Sequence, residues 1–112
     1  MTVRELAEAL NLEILTGGVG LGQEVEHGYV SDLLSDVIGN APENSVWVTV
    51  QRHVNILGVA KLKNIAAIIT PRGLKIDGEL IERARAEEIV LLRSERPAFE
   101  VVGMVYGILK KA

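Results

Sequence analysis

Hydrophobic positions along the chain follow two alternating rhythms. In the stretches SVWVTV (45–50), IAAIIT (65–70) and IVLLR (89–93) they run almost unbroken and are rich in β-branched residues. That is the pattern of strands covered on both faces. Between these runs apolar residues return every three or four positions, as on one face of a helix. The spacing predicts helices over 54–63, carried by Ile56, Leu57 and Ala60, over GELIERARAEE behind an Asp77 cap, and over 97–110 after Ser94 and Pro97.

The first third of the chain gives weaker but readable signals. Thr2 and Glu5 have capping-box spacing ahead of Leu6, Ala9 and Leu10, so a short helix is expected over 2–10. LEIL (12–15) reads as a brief strand, and TGGVGLG (16–22) as a loop. EVEHGYV (24–30) alternates with Val25, His27 and Tyr29 on one side, which makes it a strand and His27 a core histidine. Ser31 then caps DLLSDVIG, whose expected buried stripe is Leu33, Leu34, Val37 and Ile38, with Gly39, Asn40 and Pro42 as the stop.

Buried strands alternating with helices define an α/β chain. The expected architecture is a single three-layer domain, with a mainly parallel sheet and helices on both faces. Right-handed crossovers place the turns after residues 30, 50, 70 and 93 at one edge of the sheet, its carboxyl rim. Ligands of such sheets bind at that rim, where helix N-termini also point. The rim collects Ser31 and Asp32, then Arg52, His53 and Asn55, then Thr70 and Arg72, with Ser94 and Glu95 last. Two arginines, a histidine and an asparagine beside helix N-termini suit an anionic ligand or a partner's carboxylate.

Composition narrows the chemistry. A length of 112 residues suits one domain, and 48% hydrophobic content is incompatible with disorder. Absence of cysteine removes disulfides, thiolate metal sites and cysteine nucleophiles. His27 and His53 lack metal-ligand spacing, so neither a metal nor a cofactor is expected. A net charge of −3 with 4% aromatic residues speaks against nucleic acid. MTVRELAEALNL has no apolar signal-peptide core, and no apolar run reaches the roughly 18 residues that span a bilayer. The expected setting is cytoplasmic, away from membranes.

Three motifs invite stronger readings than they support. TGGVGLG has the spacing of neither the dinucleotide nor the phosphate-loop fingerprint, and it joins two strands. Asp32 and Asp36, four apart, resemble an acid pair but also suit the first turn of a helix, where carboxylates answer the dipole. Ser31, Ser35 and Ser94 lack a nucleophile elbow, and His53 has no assignable nucleophile beside it. No catalytic residue is assigned.

The stretch YVSDLLSDVIGNAPENSVWVTVQRHVNILGVAKLKNIAAIIT, with LTGG before it and AFEVVG after it, resembles the DRTGG domain. The likeness is strongest to short stand-alone members from anaerobic bacteria and archaea. In larger proteins this domain accompanies phosphotransacetylases and interrupts nucleotide-sensing modules of regulated pyrophosphatases. Its fold is similar to the amino-terminal domain of HPr kinase/phosphorylase. The resemblance implies a regulatory or ligand-binding accessory rather than a catalyst. The signature's Asp-Arg turn here reads QRHVN, keeping Arg52 alone. Its Thr-Gly-Gly turn reads TPRG, keeping Thr70 and Gly73 around Pro71 and Arg72.

Two functional classes follow. One is a non-catalytic sensor holding a small anionic metabolite or nucleotide: Arg52 and Arg72 contact the anion, His53 and Asn55 orient it, Thr70 borders it, and Ser31 and Asp32 close the far side. The other is an interaction subunit that docks a partner enzyme and has no small ligand. A hydrolase or transferase using His53 ranks below both. The segment AFEVVGMVYGILKKA adds an expectation about assembly, because its apolar arc is wider than packing on one sheet requires. Helix 97–110 is therefore expected to serve a homodimer.

Overall fold

The protein is described by a computed structural model covering residues 1–111, with helices α1 (Val3–Ala9), α2 (Leu34–Asn40), α3 (Asn55–Leu62), α4 (Gly78–Ala86) and α5 (Ala98–Lys111). The strands are β1 (Glu13–Ile14), β2 (His27–Val30), β3 (Ser45–Val48), β4 (Ala67–Thr70) and β5 (Leu91–Arg93). They form one sheet in the order β1-β5-β4-β3-β2. β2 to β5 are mutually parallel, and only β1 runs antiparallel, on β5. The expected α/β architecture holds.

Strands β2, β3, β4 and β5 step across the sheet in chain order without reversal. Crossovers of one hand and one direction must all pass over the same face. Accordingly α2, α3 and α4 share a core with Trp47, Ile68 and Leu91, the side chains pointing to that face. Val46, Val48, Ile69 and Leu92 point the other way and meet α1 and α5. Both layers thus draw on one set of continuous apolar strands, and Trp47 and Ile68 are fully enclosed.

The capping box of α1 forms: Thr2 accepts from the Glu5 amide and Glu5 from the Thr2 amide. The TGGVGLG loop lies in the long connection from β1 to β2, which stand at opposite edges of the sheet. Thr16 is buried and its hydroxyl accepts the Leu91 amide, extending the β1–β5 ladder by one rung. Gly20 (φ 66°) lies so close to Val90 that a Cβ there would collide with its side chain.

Local expectations fail where an element is shorter than its pattern. His27 is exposed, not a core histidine, and Val25 and Tyr29 join opposite layers. The cause is a kink: the Glu26 and His27 amides both reach the Asn44 carbonyl, while the Val25 amide is taken by Met1. Helix α2 starts three residues after Ser31, whose hydroxyl accepts the Leu33 amide before the helix begins. Leu33 (64% exposed) and Ile38 (41%) therefore lie outside the stripe that Leu34 and Val37 form. Asp77 occupies the N-cap of α4, but its side chain makes no capping bond.

Candidate functional site

The four strand-end loops lie along one rim, as the topology requires, and hydrogen bonds join each to the next. Asp32 crosses from the loop after β2: its carboxylate accepts the Thr49 hydroxyl (2.8 Å) and the Val50 amide (2.9 Å). Gln51 returns the contact, donating to the Asp32 carbonyl at 2.9 Å. From below, the buried Trp47 ring donates to the Ser31 carbonyl at 2.8 Å. Arg52 leans the other way, donating through Nη1 to the Lys75 carbonyl (2.9 Å) and through Nε to the Val50 carbonyl (3.3 Å). The third and fourth loops join through backbone alone: Arg72 and Gly73 amides donate to Arg96 and Ser94 carbonyls at 2.8 and 2.7 Å.

These bonds revise several expected roles. Asp32 and Asp36 are not a pair. Asp32 precedes the helix and braces a neighbouring loop, whereas Asp36 sits inside α2 and accepts the Tyr29 hydroxyl at 2.8 Å. His53 Nδ1 accepts the Asn55 amide at 3.2 Å and so finishes the start of α3. Ser94 similarly accepts the Arg96 amide. Both are turn contacts rather than parts of a nucleophile–base pair.

The polar stretch after β3 does line a hollow. Arg52, His53 and Val54 face Asp77, Glu79, Leu80 and Arg83 across about 220 Å³. Two guanidinium groups meet two carboxylates there, so the hollow is charge-balanced rather than cationic. Of the expected residues only Arg52 and His53 border it. Ser31, Asp32, Asn55, Thr70 and Arg72 lie elsewhere on the rim, and Thr70 is buried. A crevice at such a rim normally opens where strand order reverses. With β2 to β5 in sequence there is no reversal, which explains the shallowness. Arg72 is unusual in another respect: it is exposed and held at φ 61°, with Gly73 beside it at φ 59°.

A larger concavity lies away from the rim, along β2 and α5. It measures about 560 Å³ and is lined by Gly28, Val30 and Val48 from the sheet and by Val102, Val105, Tyr106 and Leu109 from the helix. Sequence reasoning passed over the strand side of it. The available signal was Gly28 within a strand, a residue that often marks close approach of another group. At its margin the Ser31, Tyr29 and Asn40 side chains hold the Asp36 carboxyl below its ordinary range. Reciprocally, the bond to Asp36, then burial, raises the Tyr29 hydroxyl above its usual value. Among the described residues no three His, Cys, Asp or Glu side chains gather as a metal-binding group, and no helix is long and apolar enough to cross a membrane.

No family model and no curated protein matches the chain. Among solved structures it is similar to the CBS and DRTGG domains of the regulatory region of Clostridium perfringens pyrophosphatase, crystallised with the activator diadenosine tetraphosphate. The superposition has a TM-score of 0.69 at 13% identity, covering 93% of this chain and 45% of that one. This chain therefore spans less than half of that regulatory structure and shares its fold there.

Proposed function

We propose that the chain, over residues 1–112, is a single DRTGG-like domain acting as a regulatory accessory module without catalysis of its own. In this reading it works in the cytoplasm and takes a small anionic metabolite or nucleotide at the carboxyl rim. The observation that carries the reading is the backbone of Arg72. An arginine in the left-handed region costs about 1 kcal/mol, and such strain persists only where the surrounding structure fixes the backbone, here the turn from Pro71 to Leu74. Two backbone bonds to the following loop keep it there with its side chain outward. Arg52 and Arg72 then anchor the anion, His53 and Asn55 orient it, Thr70 borders it, and Ser31 and Asp32 brace the adjoining loop. The similar regulatory region, captured with a polyanionic activator, supports the same class of ligand.

The test is a thermal-shift screen with nucleotides, diadenosine tetraphosphate and acyl phosphates. A ligand at a hundred times its Kd adds about 2.7 kcal/mol of stability. Arg72→Ala should abolish the shift, because a charge-assisted contact contributes about 1.5–3 kcal/mol, while Lys63→Ala should not. Absence of any shift overturns the sensing reading. The charge balance of the hollow then favours the second reading, an accessory that docks a partner enzyme through this rim. We further propose that the chain forms a homodimer through helix α5.

A further inference from the structure

We draw no further inference here: the strongest candidate, the groove between the edge strand β2 and helix α5, is an unpartnered and mainly apolar face, and nothing in the structure shows what covers it.

Discussion

At the carboxyl rim, polar groups that look available in the sequence are largely bound to a neighbouring loop, whereas along the β2 edge backbone amides and apolar side chains face outward. Asp32 spends its carboxylate on Thr49 and Val50, and Arg52 reaches the Lys75 carbonyl. Val30, Phe99 and Tyr106 are all more than half exposed. The difference teaches that polarity alone does not mark a binding surface. What counts is whether the groups already have partners, because only unpartnered ones gain from a new contact.

The contrast can be broken from beneath. Trp47 is enclosed and also holds the Ser31 carbonyl, so it joins the core to the rim. Trp47→Ala should cost about 3–5 kcal/mol, read from the urea midpoint. Trp47→Phe should cost less yet loosen the loop after β2, seen as faster hydrogen exchange at the Leu33 amide. Next in size is Asp32→Ala, expected to lose about 1–2 kcal/mol because the Val50 amide and Thr49 hydroxyl lose an ionised acceptor in a partly solvated place. If Asp32→Ala is neutral, the rim is not internally braced and the comparison fails.

A third change sharpens it with the opposite sign. Arg72→Gly relieves the left-handed backbone and should raise stability by about 1 kcal/mol, roughly 4 °C in Tm, while removing the anion response. Glu88 at φ 59°, just past the C-cap of α4, supplies the control. There glycine is the favoured residue, and Glu88→Gly should stabilise to a similar extent with the response intact.

The smallest effect concerns pH. Asp36 has a depressed folded value, so its contribution is complete above the unfolded carboxylate range and is lost as pH falls through the folded value. Tyr29 has a raised one, so its contribution is complete below the unfolded phenol value and is lost as pH rises through the folded value. Asp36→Asn should flatten the acid limb of a stability–pH curve and shift the Tyr29 titration downward. Both limbs can be followed by urea midpoints and tyrosine absorbance.

Legibility in the sequence tracked how constrained each element is. β3, β4 and β5 could be read because burial on both faces leaves an unbroken apolar run. β2 has one strand neighbour and a kink before it, so alternation across 24–30 merged two segments and turned His27 inward. α2 has seven residues, too few for a stripe of Leu33, Leu34, Val37 and Ile38 to lie wholly inside. The rim was legible as a set of loops, because topology alone gathers them. Its internal bonding was not, since Asp32 and Thr49 are 17 positions apart and Arg52 and Lys75 are 23. Such pairings emerge only once strands stand side by side.

The antiparallel strand β1 has a consequence for how the chain matures. Its partner is β5, and the contact between Glu13 and Arg93 spans 80 positions. Helix α1 likewise buries Val3 and Leu6 in the layer that Val101 and Val105 complete. Strands β2 to β5, by contrast, each add beside the one just made, closing short loops at modest entropic cost. During synthesis the amino-terminal segment through Val25 therefore waits, its apolar face uncovered, until β5 and α5 have emerged. Docking of that segment should form the slow step of refolding, visible as late protection of the Leu91 amide that Thr16 accepts. The first helix made is the last one housed.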